Sequence, residues 1–142
     1  MASLVFSHIA LNCKDPIALE RYYTKHFAFV RARVIPLGAE QIVFIKNGDT
    51  YLEIFQADGA ASTPSGDGPH NPGIIRHLAF QVDNVDAKLA AMGDDAKVTL
   101  GPLDFGAFIP GWRTVWVADP EGNVVEISQG YTDQSNPPPL PA

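Results

Sequence analysis

The chain has 142 residues, 46% of them hydrophobic and 18% charged, so it can bury a real core and is globular in composition. Ten basic residues against 16 acidic ones give a net charge of −6, which argues against a phosphate-tracking nucleic-acid binder or a basic membrane anchor. No apolar run approaches the ~20 residues of a membrane helix, and the N-terminus lacks the parts of a secretory signal. With Cys13 the single cysteine, no intrachain disulfide can form and a cytoplasmic location is expected. Cys13 ends an apolar strand and reads as a structural thiol.

Taken in order, residues 4–13 read as a strand whose alternation puts Leu4, Phe6, His8 and Ala10 on one face. Asp15-Pro16 supplies a helix start, and Leu19, Tyr23 and Phe27 form its apolar stripe. Strands follow at 29–37, 41–46 and 51–56, with Asn47-Gly48-Asp49 as a hairpin turn. The strand at 51–56 groups Tyr51, Glu53 and Phe55. Residues 57–73 are rich in Ala, Gly, Ser, Pro and Asp and read as a linker. Strand Ile74–Val82 opens a second series, with His77 inside it. Asn84 caps a helix to about Met92, with Val85, Leu89 and Met92 as its stripe. Strands at 97–103, 112–118 and 123–129 follow, the last two joined by the turn Asp119-Pro120-Glu121-Gly122. Residues 105–112 form an apolar loop placed to act as a lid. The tail 131–142 carries four prolines and reads as loose.

The order strand, helix, three strands occurs twice. The expected architecture is α+β, one domain built from two tandem βαβββ modules at 4–56 and 74–130. His8-Ile9-Ala10-Leu11 reads against His77-Leu78-Ala79-Phe80, and Tyr51-Leu52-Glu53-Ile54 against Val124-Val125-Glu126-Ile127. Each module therefore opens on a central His and closes on a central Glu. Carboxylates in apolar strands are costly unless paired or metal-bound. Two imidazoles and two carboxylates suit a divalent first-row metal such as Zn, Ni, Co, Mn or Fe, with positions left for oxygen ligands. One carboxylate would be free to act as a base beside the substrate, which makes Glu126 and Glu53 the catalytic candidates. His26, near a helix C-terminus, and His70, in the linker, read as incidental.

These pieces resemble the vicinal oxygen chelate superfamily, the glyoxalase/bleomycin resistance/dioxygenase group. The resemblance runs from residue 4 to about 130. It is carried by Ser7-His8-Ile9-Ala10-Leu11, Arg21-Tyr22-Tyr23, Leu52-Glu53-Ile54-Phe55, His77 to Asp83 and Asp119 to Ile127. It implies cupped mixed sheets around a metal cavity, with His8, Glu53, His77 and Glu126 as ligands, and a homodimer. The four-ligand pattern is most similar to lactoylglutathione lyase and related isomerases. There the metal holds two neighbouring substrate oxygens and stabilises an enediolate while a glutamate, by analogy Glu126, moves a proton between adjacent carbons.

The sequence departs from that pattern where glutathione would bind: Asn12 stands for the expected arginine and Ala57 for the expected asparagine. Methylmalonyl-CoA epimerase shares the proton-transfer logic but approaches its last strand differently. An Fe(II) extradiol dioxygenase could be built from His8, His77 and Glu126, leaving Glu53 unexplained. A ligand-sequestering resistance protein of this type lacks the full ligand set. Phe6, Tyr51 and Phe55 are the expected pocket walls, and Arg113 the expected anchor for a substrate carboxylate or phosphate. The expected function is a metal-dependent isomerase or lyase acting on a small molecule with vicinal oxygens.

Overall fold

The computed structural model describes residues 3–142; Met1, which the sequence pattern sets just ahead of the first strand, and Ala2 lie outside the described residues. Module one comprises β1 (His8–Cys13), α1 (Pro16–His26), β2 (Val30–Leu37), β3 (Glu40–Asn47) and β4 (Thr50–Gln56). Module two comprises β5 (Leu78–Gln81), α2 (Val85–Met92), a 3₁₀ turn (Gly93–Asp95), β6 (Lys97–Asp104), β7 (Arg113–Ala118) and β8 (Val124–Gln129). Each module makes its own four-stranded mixed sheet, in the orders β1-β4-β3-β2 and β5-β8-β7-β6. The α+β class and the doubled βαβββ pattern therefore hold.

Both helices begin where their caps dictate. The Asp15 carboxylate accepts from the Ala18 N–H at 3.1 Å, and the Asn84 side chain accepts from the Ala87 N–H at 2.8 Å. Pro16 takes the first helical position, where its missing N–H costs nothing.

Two strands are shorter than their apolar runs suggest. β1 starts at His8, not at Leu4, and β5 starts at Leu78, not at Ile74. The reason is the same in both. His8 pairs with Tyr51, one residue inside the start of β4, and Leu78 pairs with Val125, one residue inside the start of β8. Beyond those points β4 and β8 turn away, at Gly48-Asp49 and at Asp119–Gly122, so no ladder partner remains. Leu4, Val5 and Phe6 are left 88%, 80% and 71% exposed, and Ile74 and Ile75 are exposed too.

One apolar cluster joins the modules. Val43, Ile45, Leu52 and Ile54 from the first sheet, Val115, Val117, Val125 and Ile127 from the second, and Leu19, Tyr23, Val85 and Met92 from the helices all belong to it. Phe27 stacks on Phe80 across the module boundary, with ring centroids 4.4 Å apart. The Tyr23 hydroxyl donates to the buried Asp119 carboxylate at 2.7 Å, and Glu121 accepts from the Asp15 N–H at 2.7 Å. Burial pushes the Asp119 carboxyl above its usual range despite the hydrogen bonds it accepts from Tyr23, from the Asn123 side chain and from the N–H groups of Glu121 and Asn123. The Lys88 ammonium donates to the His26 carbonyl.

The segment 57–73 is not a free tether. Thr99 Oγ1 donates to the Gly66 carbonyl at 2.7 Å, and Ser62 Oγ donates to the Gly122 carbonyl at 3.3 Å. A Cβ on Gly68 (φ +111°) would lie 1.8 Å from the Arg76 carbonyl oxygen, so the chain passes there backbone against backbone. The tail 131–142 is exposed along its whole length, as the proline content suggests.

Candidate functional site

The inward face of each sheet is set by its helix, and the opposite face carries the chemistry. In module one, Leu52 and Ile54 turn inward, which sends Tyr51, Glu53 and Phe55 to the other side, all half-buried. Glu53 sits between Ala10 on β1 and Phe44 on β3. His8 reaches it diagonally, with Nε2 3.0 Å from Glu53 Oε1. Phe44 stands edge-on to the imidazole at 5.5 Å. His8 Nδ1 meets the Ser7 hydroxyl at 2.7 Å.

Module two repeats this register. Glu126 sits between Ala79 on β5 and Trp116 on β7. His77, just ahead of β5, places Nε2 2.8 Å from Glu126 Oε1, and Trp116 stands edge-on to it at 6.2 Å. Two additions have no equal in module one. Thr114 Oγ1 donates to Glu126 Oε2 at 2.7 Å, whereas the equivalent position on β3 is Ile42. The His77 Nδ1–H donates to the Asp67 carbonyl oxygen at 2.6 Å. Asp67 is itself held: its carboxylate meets His70 Nε2 at 2.6 Å and accepts from Arg76 at 3.3 Å. The hydrogen bond from His70 is the main cause that keeps the Asp67 carboxyl below its usual range. His70 and Asp67 are thus part of the support of His77. Sequence reasoning missed them because Gly66-Asp67-Gly68-Pro69 looks like any turn.

The donor set fits a cation. A carbonyl oxygen only accepts, so Nδ1 of His77 carries the proton and a neutral ring offers a lone pair at Nε2. That lone pair faces a carboxylate oxygen at 2.8 Å. Two acceptors held so close require a proton or a metal ion between them. A metal-binding imidazole commonly has its other nitrogen anchored in this way.

Within one chain the four ligand candidates stand as two pairs. Among the described residues, no third His, Cys, Asp or Glu joins either pair in a group that could hold a metal. The apolar faces of both sheets meet in the shared core, so each His–Glu pair lies on the far side of its own sheet.

The other candidates divide. Tyr51 and Phe55 flank Glu53 on its own face. Phe6 lies outside β1 and is exposed. Arg113 pairs with Gln129 one step out of phase with Glu126, so it belongs to the opposite face, where it donates to Asp86 at 3.0 Å. His26 is buried and meets Asp95 at 2.7 Å, a structural contact. The loop 105–112 brings Trp112 to the Glu126 face, its Nε1–H donating to Ser128 Oγ at 3.1 Å.

Residues 5–127 match the family described as the Glyoxalase/Bleomycin resistance protein/Dioxygenase superfamily. A comparison with curated proteins gave no sequence match. Among solved structures, a glyoxalase family protein from Enterococcus faecalis is 25% identical, with 90% of this chain and 99% of that one covered and a TM-score of 0.67. The genomically encoded fosfomycin resistance protein FosX from Listeria monocytogenes, in a structure complexed with Mn(II) and sulfate, is 18% identical, with 92% and 95% covered and a TM-score of 0.66. Lactoylglutathione lyase from Agrobacterium tumefaciens is 23% identical, with 89% and 93% covered and a TM-score of 0.58. The last two likenesses are of fold.

Proposed function

The chain belongs to the Glyoxalase/Bleomycin resistance protein/Dioxygenase superfamily, and from that membership we propose that it is a metal-dependent isomerase or lyase moving a proton between adjacent carbons of a small molecule with vicinal oxygens. The observation that carries this reading is the same His–Glu arrangement at equivalent registers of both sheets, 3.0 Å and 2.8 Å across. His8, Glu53, His77 and Glu126 would hold a divalent cation, which supplies charge neutralisation to two neighbouring substrate oxygens.

Because each chain offers its ligands as two pairs, two copies complete the set. His8 and Glu53 of one copy meet His77 and Glu126 of the other, giving two sites around a two-fold axis. The unpaired edges of β1 and β5, with the exposed Leu4, Val5, Phe6, Ile74 and Ile75 beside them, are the surfaces such a homodimer would cover. Glu126, oriented by Thr114, takes the proton from one carbon and returns it to the next. Glu53 stays as a ligand and carries the second negative charge. Asn12 and Ala57 offer no cation to a glutathione carboxylate, so the substrate need not be a glutathione adduct.

The test is to load the purified chain with Zn, Ni, Co, Mn or Fe(II) and to measure metal per chain and mass in solution. A dimer with two metal ions per pair of chains is expected. Glu126→Gln should keep the dimer and lose exchange of substrate protons with deuterated solvent. Oxygen consumption on a catechol with Fe(II) would replace the isomerase reading by that of an extradiol dioxygenase. Failure to retain any metal would sink both readings and leave a ligand-sequestering protein.

A further inference from the structure

The His–Glu pairs are nearly symmetric, but the space beside them is not. On the Glu126 face an open recess of about 310 Å³ is lined by Ala79, Gln81, Trp112, Glu126, Ser128 and Tyr131, among others. Two backbones touch to build it. Gly130 (φ +80°) leaves β8 so close to the 105–112 loop that a Cβ there would lie 2.2 Å from the Gly111 carbonyl oxygen. That contact sets Tyr131 against Trp112, with ring centroids 6.2 Å apart and planes at 60°. Phe105 lies 5.1 Å from Trp112 on the loop, and Phe108 lies 6.2 Å from Phe105.

The polar atoms of both lining rings are already engaged. The Trp112 indole N–H donates to Ser128, and the Tyr131 hydroxyl donates to Asp133 at 3.0 Å. Besides the Gln81 amide and the Glu126 carboxylate, what remains to meet a ligand is ring surface. No cation lines the recess among the described residues, and Arg113, next in sequence to Trp112, is tied to Asp86 on the other face of the sheet. Module one, whose rings beside Glu53 are Tyr51 and Phe55, lacks this Trp–Tyr pair. By the register of the repeat, Phe55, Ala57 and Asp58 occupy the places of Ser128, Gly130 and Tyr131.

We propose that this recess takes an uncharged aromatic group of the substrate, stacked on Trp112 and Tyr131, while the vicinal oxygens of the same molecule extend toward Glu126. The proposal rests on the reading of the His–Glu set as a metal centre. An anionic group is a poor occupant, because it would be desolvated among rings and beside a carboxylate with no cation to meet it. A flat neutral ring gains from offset or edge-on packing in the same place. Trp112 and Tyr131 are then specificity-determining residues.

The experiment has two arms, both on the full chain. In the metal-loaded arm the probes are acetohydroxamate, benzohydroxamate and 4-carboxybenzohydroxamate, which share one bidentate oxygen pair and differ only in the group carried on the carbonyl carbon. Calorimetry should show benzohydroxamate binding about tenfold or more tighter than acetohydroxamate, and the carboxylated probe losing that gain. Trp112→Ala and Tyr131→Ala should each shrink the benzohydroxamate preference and leave acetohydroxamate affinity as it was. In the metal-free arm, benzamide should change the tryptophan fluorescence where acetamide and benzoate do not, and Trp112→Ala should abolish that change.

Equal affinity for the phenyl and methyl probes, tighter binding of the carboxylated one, or a preference that survives both substitutions overturns the aromatic subsite and leaves the metal reading intact. No binding of any hydroxamate, with the benzamide response present, overturns the metal reading and leaves the subsite standing. Absence of the benzamide response overturns the subsite in either case.

Discussion

Set side by side, the two modules share a His–Glu pair at one register and differ in the hydrogen bonds that hold it. His8 leans on a neighbouring serine hydroxyl and, among the described residues, Glu53 has no side-chain partner besides His8. His77 is locked by a backbone carbonyl from a glycine-bounded segment, and Glu126 is held at its second oxygen by Thr114. The difference teaches that a duplicated motif specifies geometry twice but need not assign one task twice. The rigid half suits a residue that must present a basic oxygen at a fixed place. The looser half suits a ligand that adjusts to the cation. The same asymmetry appears at the strand connections. Asn47 of β3 and Asp119 after β7 hold equivalent places in the repeat. Asn47 donates one bond, to the Phe27 carbonyl at 2.8 Å. Asp119 gathers four donors: the Tyr23 hydroxyl, the Asn123 side chain and the N–H groups of Glu121 and Asn123.

Asp119 is therefore where the comparison breaks hardest. Asp119→Ala strands four donors, three of them in a turn that seats module two on α1. It should destabilise the fold by about 3 kcal/mol or more, read as a shift in denaturation midpoint. The equivalent Asn47→Ala should cost about 1 kcal/mol. The pH dependence carries a sign. Because burial raises the folded-state pKa of Asp119, its contribution to stability is fully present below the unfolded value of ~3.9 and is lost as pH rises through the raised folded value. The wild-type-minus-variant difference in unfolding free energy should accordingly be larger on the acid side of that window. A difference that grows with rising pH would show the carboxylate form to be the favoured one.

Thr114 is the next place to cut. Thr114→Val keeps the shape and removes the hydroxyl that orients Glu126. Loss of a group that holds a metal-ligating carboxylate should lower metal affinity about 10- to 100-fold, with a stability cost of only ~1 kcal/mol. Titration of the variant with Zn or Mn, alongside its thermal unfolding, separates the two effects. The equivalent residue in module one is already apolar, so Ile42→Val should leave metal affinity unchanged. Equal losses from both substitutions would mean that the hydroxyl has no special part in the site.

Much of this was legible in the chain, and the rest was hidden for definite reasons. Asp15-Pro16 and Asn84 marked both helix starts, because capping is a local matter of one side chain and one N–H. Period-two alternation put Tyr51 and Phe55 beside Glu53, and the fold keeps them there. The same parity argument, applied across β7 and β8, would have sent Arg113 away from Glu126. Its nearness to the 105–112 loop in sequence points the other way and is the weaker guide. The length of a strand is set by its partner, so the apolar runs at Leu4–Phe6 and Ile74–Ile75 read as strand although no ladder reaches them. The split of the candidate ligands into two pairs comes from how both sheets share one core across α1 and α2, and no local pattern carries that information. Asp67 was invisible because its contribution to His77 is a backbone carbonyl.

The smallest effect lies at the end of β1. Counting from His8 and His77, Cys13 and Val82 are equivalent, and the single thiol of the chain thus stands where the other module has a plain hydrophobe. Burial, helped by the nearby acidic groups Glu121, Asp15 and Asp119, pushes the Cys13 thiol up to about 12. It is 3% exposed, and its S–H donates to the Phe55 carbonyl at 3.3 Å. A thiol so protonated and covered is no nucleophile near neutral pH. Cys13→Val should therefore change stability by less than ~1 kcal/mol. It should leave metal content and substrate turnover untouched. In the wild type, iodoacetamide should label Cys13 only at the rate of unfolding. Fast labelling of the folded chain, or loss of turnover in Cys13→Val, would show that the two modules differ in chemistry at this position as well as in support.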